Sequence, residues 1–218
     1  MVLILGVLTF IAFLLVDYFV LKSRKKEHSA FASFSVFNKA SLAIPVQYLL
    51  SKGHIWMSAA GKEVYKLGID EFIVKSFKRI QLINVVPAGT EVKKGDVIFA
   101  GKVGSNIMNF RSPVDGVVTV LNNDIIGKNI QDTYTNDWSL QIKVAENAMS
   151  ASEFTTREKA SRWLDTEFKR FKDFLSIHTA DPELAGLTMA DGGNIVEGVA
   201  GNFNAQTLTA FEQEFLSY

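Results

Sequence analysis

The sequence predicts a mainly β protein with an N-terminal transmembrane helix and C-terminal helices. Three observations predict it: an unbroken apolar run at Val2–Leu21, a middle stretch of short apolar runs punctuated by Gly, Pro and Asn, and a helical apolar period after Ser152. Composition excludes several classes of function. Among 218 residues, Lys plus Arg and Asp plus Glu both total 23 and 48% are apolar, which leaves neither the basic surplus of a nucleic-acid binder nor the polar excess of a disordered chain. There is no Cys, so disulfides, thiolate catalysis and Cys-based metal sites are absent, and His28, His54 and His178 are too widely spaced to suggest a metal centre. The chain brings little chemistry of its own, and we read it as not an enzyme.

Taken in order, residues 1–26 read as an anchor with a basic stop. Val2–Leu21 contains one ionisable side chain, Asp17, and a helix of that length matches a hydrocarbon core of about 30 Å. Nothing basic precedes Val2, whereas Lys22, Arg24, Lys25 and Lys26 follow Leu21. That order disfavours a cleaved signal peptide and predicts a single pass through an inner or plasma membrane, N-terminus outside and everything from Lys22 onward in the cytoplasm. Asp17, beside Tyr18 near the cytoplasmic end, reads either as an interfacial carboxylate or as a contact with a partner helix. In residues 27–51, Phe31, Phe34, Phe37 and Leu42 are spaced as on one helical face before Pro45, an amphipathic connector that lies on a membrane or, the preferred reading, packs on the following domain.

Residues 52–165 read as the β-rich body. Strands are expected at His54–Ser58, Val64–Leu67, Ile80–Val85, Val97–Val103, Ile107–Arg111, Gly116–Leu121 and Trp138–Val144, with a helix at Asp70–Phe77. Val86-Pro87-Ala88-Gly89 and Ser112-Pro113-Val114-Asp115-Gly116 resemble each other, each a Pro–Gly turn feeding a strand, which suggests a small sandwich of two related halves. Residues 166–218 read as a helical extension. One helix is expected over Arg157–Leu175, with Trp163, Leu164, Phe168, Phe171 and Phe174 among charges, and another over Thr207–Leu216, whose stripe of Leu208, Phe211 and Phe215 suits the domain's flank or a partner. Asp191-Gly192-Gly193-Asn194 lacks the Lys-Ser/Thr of a phosphate loop and reads as a turn.

Gly53-His54-Ile55-Trp56, Gly68-Ile69-Asp70-Glu71-Phe72, Pro87 to Asp96, Ser112 to Gly116 with Asn122, and Asp132 to Trp138 resemble, in order and spacing, the H protein of the glycine cleavage system. The resemblance covers roughly residues 50–165. It implies the barrel-sandwich lipoyl-type fold with a terminal helix, and a hairpin whose tip lysine carries lipoate. In the family that lysine stands nine residues after the Asp of the Gly-Asp turn and eight before the Pro of the Pro-Val turn. Counted from Asp96 and from Pro113, both place Ser105 there, in a tip reading Gly101-Lys102-Val103-Gly104-Ser105-Asn106. A serine hydroxyl cannot form the lipoyl amide. The resemblance therefore implies a degenerate lipoyl position at Ser105, no catalytic or metal residues and no cofactor.

Lys102 is the alternative lipoyl or acyl site, but it lies three residues early, which turns a side chain to the opposite face of a hairpin and off its apex. Gly101 and Gly104 read as turn formers that allow positive φ, and His54 and Trp56 as packing residues. Two readings of function follow. The first is a non-catalytic, membrane-anchored scaffold, an accessory subunit of a larger membrane complex of respiratory or other redox kind, whose partners are other subunits rather than nucleic acid or a small-molecule substrate. The second is a lipoyl or acyl carrier that uses Lys102 to serve a membrane-bound enzyme. A membrane-fusion adaptor is disfavoured, because only a short turn separates the two halves.

Overall fold

The computed structural model describes residues 35–37, 42, 44–45, 47–150, 153–178, 189–190 and 194–218. Alternation of apolar and polar residues builds the strands. In chain order they are β1 (Val36–Phe37), β2 (Leu49–Ser51), β3 (Ile55–Gly61) and β4 (Val64–Ile69), then helix α1 (Glu71–Phe77), then β5 (Gln81–Val85), β6 (Glu91–Val92), β7 (Val97–Val103), β8 (Asn106–Arg111), β9 (Gly116–Leu121), β10 (Leu140–Val144) and β11 (Phe154–Thr155). Helix α2 (Arg157–His178), strands β12 (Met189–Ala190) and β13 (Asn194–Val196), a 3-10 turn at Val199–Asn202 and helix α3 (Ala205–Phe215) complete the chain. A seven-stranded sheet runs β11-β2-β3-β4-β10-β9-β6, and three-stranded sheets run β5-β7-β8 and β1-β13-β12.

The mainly β fold class stands, as do the strands and helices expected from residue 54 onward, with shifted ends that have local causes. Asp70 is not the first residue of α1 but its N-cap, since its Oδ1 accepts from the Ile73 N–H at 3.1 Å. Asn204 does the same for α3, accepting from Thr207 N–H at 2.9 Å, so that helix starts at Ala205 rather than Thr207. The two look-alike turns lie side by side, because β6 pairs with β9 through Val92 and Gly116.

Three expectations change. Within the expected amphipathic connector, Val36–Phe37 and Leu49–Ser51 are strands: Phe37 pairs with Ile195 and is buried against Phe72 and Phe168, 5.5 and 4.8 Å away. The extension is not purely helical, since β12 and β13 pair within it. The single-pass membrane localisation is also corrected, because among the described residues no helix is long and apolar enough to cross a membrane. Helix α2 has the length, 22 residues, but Lys159, Arg162, Asp165, Glu167, Lys169, Arg170, Lys172 and Asp173 interrupt its apolar character. The expected span Val2–Leu21 with Asp17, the basic stop, Phe31, Phe34 and Asp191–Gly193 lie outside the described residues.

One core joins the β-body to the extension, and Val36–Tyr218 form one compact unit, so the boundary expected after residue 165 falls inside α2. Six phenylalanines make the seam. Phe77 of α1, Phe171 and Phe174 of α2, Phe203, and Phe211 and Phe215 of α3 meet with ring centroids 4.6 to 6.1 Å apart, mostly edge to face. Phe211 is 0% exposed and touches the other five. Phe211→Ala is expected to lower the unfolding free energy by about 3–5 kcal/mol in denaturant titration.

Candidate functional site

The hairpin tip and a buried charge cluster are the two places where residues of the expected site meet chemistry. Strands β7 and β8 pair from Val97↔Arg111 to Val103↔Asn106, which leaves Gly104 and Ser105 as a two-residue turn. Gly104, at φ 59°, takes the first central position, where a II′ turn needs positive φ. Ser105 is exposed at the apex. Lys102 is not at the tip: it lies in β7, paired with Gln81 and Ile107, and points to solvent. Gly101 corrects the sequence reading, for it lies mid-strand without positive φ. Its lack of a side chain serves packing instead, since a Cβ there would stand 2.6 Å from Ile80 Cγ2.

The outer edge of β8 is occupied by the extension. Glu212 Oε1 on α3 accepts from the Asn109 backbone N–H at 2.8 Å, and Asn106 Nδ2 donates to Phe203 O at 3.2 Å. The hairpin is therefore held on one side by β5 and on the other by α3.

His54 is placed by the turn between β2 and β3, at φ 58°, a region in which His is less disfavoured than most side chains. Its ring is fully buried and stacks on Phe72 at 4.9 Å. Nδ1 donates to Asp70 Oδ2 at 2.7 Å, and Nε2 faces Glu167 Oε2 at 3.6 Å, an ion-pair distance without a hydrogen bond. Arg170 NH1 donates to both Glu167 oxygens at 2.9 Å, and its NH2 donates to Glu214 O at 2.6 Å. Burial alone would lower the His54 pKa, but the Asp70 carboxylate and then Glu167 outweigh it and hold the ring at about 9. Burial pushes Glu167 up, yet His54 and Arg170 bring it below the usual carboxylate value. The packing role expected for His54 is joined by an electrostatic one, because the ring lies between two carboxylates that favour its protonated form.

Trp56 packs as expected. It is 1% exposed, its Nε1 donates to Thr133 Oγ1 at 3.2 Å, and Thr133 in turn donates to Ile69 O. The Asp132–Trp138 segment is a self-satisfied loop: Asp137 Oδ2 accepts from Gln131 and Asp132 N–H at 2.6 and 2.7 Å, and Asp132 accepts from Thr135 and Asn136. Asn122 Nδ2 donates to Asn136 O and Trp138 O, both at 2.9 Å. These carboxylates line an open groove of about 850 Å³ with Lys66 and Trp138, and one oxygen of each is already engaged within the loop. Glu167 escaped the sequence reading. Its signal was there, since it stands three residues after Leu164 and four before Phe171, on the apolar face of α2.

A model of the glycine cleavage H-protein family matches residues 47–167. The chain is 22% identical over 126 residues to the glycine cleavage system H protein of Mycobacterium avium, a match covering 56% of this chain and 96% of that one. To the H protein of Prosthecochloris aestuarii it is 24% identical over 120 residues, covering 51% and 94%. A crystal structure of a glycine cleavage system H protein from Mycobacterium marinum aligns with TM-score 0.46 and 14% identity, over 55% of this chain and 98% of that one.

At the hairpin, Gly101→Ala is expected to cost roughly 1–3 kcal/mol through the clash with Ile80. Adding Ile80→Ala should recover part of that loss in a double-mutant cycle read by chemical denaturation, whereas additive losses would show that the two side chains do not compete for one space.

Proposed function

Because the chain belongs to the glycine cleavage H-protein family, we propose that it is a non-catalytic member that serves as a scaffold, an accessory subunit of a larger complex of respiratory or other redox kind. The observation that carries this reading is Ser105 at the apex of the β7–β8 turn, the position to which both anchor counts assign the family's lipoyl lysine. A hydroxyl there offers no amine for a lipoyl amide. The fixed surroundings of the hairpin support the same reading, since α3 and Phe203 hold the β8 edge with contacts that belong to the chain itself. An H-like body joined to helices through a shared phenylalanine seam has the rigidity that a docking subunit uses, because little conformational freedom remains to be lost on association.

The competing reading places an acyl group on Lys102. Intact mass and peptide mass of the native chain separate the two at once. The scaffold reading expects an unmodified peptide spanning residues 97–111, and it expects Lys102→Arg to leave co-purifying subunits and their activity unchanged, since arginine keeps the charge and removes only the acylatable amine. Ser105→Lys should acquire at most partial lipoylation, because the hairpin of the resembled family reads Glu-Ser-Val-Lys and the tip here, Lys102-Val103-Gly104-Ser105, has no such Glu before it. A lipoyl-sized increment on Lys102, lost with activity in Lys102→Arg, would overturn the scaffold reading.

A further inference from the structure

The cluster around His54 does more than fill the core, because α1, α2 and α3 are all tied to it. Asp70 reaches it from the N-cap of α1, Glu167 from α2, and Arg170 links Glu167 to Glu214 O while its guanidinium lies 4.7 Å over the Phe215 ring of α3. On the remaining side, the Tyr134 hydroxyl accepts from Glu71 N–H at 3.4 Å, and the Tyr218 hydroxyl shares a 2.7 Å hydrogen bond with Ser51, at the start of the turn that carries His54. Lys94 caps the Tyr218 ring from 5.7 Å. Burial pushes both phenols far up, so neither supplies a charge at ordinary pH. Two cations and two carboxylates therefore balance only while the imidazole is protonated.

We propose that His54 is a proton-linked latch, a buried imidazolium whose charge docks α2 and α3 on the β-body and thereby keeps the β8 edge covered. Loss of the proton leaves Asp70 and Glu167 with one cation, Arg170, that reaches only Glu167. The carboxylate left buried without a cation is then Asp70, which is strongly unfavourable, and because α2 covers the His54–Asp70 pair through Trp163 and Glu167, its outward movement admits water to Asp70. Arg170 then gives up Glu214 and Phe215, and α3 follows.

The direction with pH is fixed by the sign of the shift. The folded-state pKa of His54 is raised to about 9 from 6.5, so its stabilisation is complete below pH 6.5 and is lost as pH rises toward 9. Glu167 acts oppositely, its contribution being lost as pH falls below the ordinary carboxylate range.

Hydrogen exchange of the full chain, corrected for intrinsic rates, tests the latch. Between pH 6.5 and pH 9.5, protection of α2, α3 and the Asn109 amide held by Glu212 should fall at least tenfold. The amides that pair β7 with β8 should stay within twofold. In His54→Gln, which keeps a hydrogen bond to Asp70 without the charge, protection of the helices should already be low at pH 6.5 and independent of pH. Should that variant not fold, the native ring decides: nuclear magnetic resonance should find both ring nitrogens protonated at pH 7, with a midpoint that coincides with the loss of protection. A neutral His54 ring at pH 7, or helix protection that does not change with pH, would overturn the proposal, as would an unchanged pH profile in His54→Gln.

Discussion

An imidazole without exposure, set between two carboxylates, determines where the neighbouring elements begin and how they are rotated. Asp70 has two tasks at once, since one oxygen caps α1 and the other accepts the hydrogen bond from His54 Nδ1. The start of the helix and the position of the ring are thus a single constraint. Glu167 adds a second, because only one rotation of α2 brings its carboxylate to Nε2 while Phe168 and Phe171 face Phe72. Arg170 transmits that rotation to α3. Burying His54, Asp70 and Glu167 together is costly unless each finds a partner, and Arg170, with its side chain 37% exposed, supplies one from the rim.

Much of the β-body was legible, because alternation and turn chemistry are local. Val97–Val103 is a strand with the limits that its pattern indicates, and Gly104 turns the hairpin. What was not legible depended on partners distant in sequence. The spacing of Phe31, Phe34 and Phe37 suits a helix, yet Phe37 is in a strand because Ile195 of β13 offers it a pairing edge, and tertiary pairing outweighs local period. The end of α2 lies beyond Leu175 because its last residues, Ser176, Ile177 and His178, are exposed, so the buried apolar face that marks the helix stops at Leu175. Gly101 looks like a turn glycine until Ile80 is seen above it. Of the site, the apex at Ser105 was readable by counting, whereas the cluster at His54 joins Asp70 to Glu167, and no local pattern connects Glu167 to either.

The segments that resemble the family spend their polar groups on shape. Asp132, Asp137 and Asn122 close the loop before β10, Thr133 carries the Trp56 indole to the Ile69 carbonyl, and Ser112 closes its own turn through Val114. Each side chain is engaged by backbone or by another side chain of the same body. A chain can keep these segments for the fold they specify, independently of what its hairpin carries.

The contact between Glu212 and the Asn109 N–H has a consequence for the behaviour of the molecule in crowded solution. Strand β8 ends its sheet, and an uncovered edge is a template on which another extended chain can add. A helix laid along that edge, with a carboxylate taking one of its free amides, removes the template at the place where the hairpin projects. The extension therefore guards against sheet-to-sheet polymerisation. Ile107, 54% exposed on the same strand, is the residue whose side chain would make such growth most adhesive if the helix were lost.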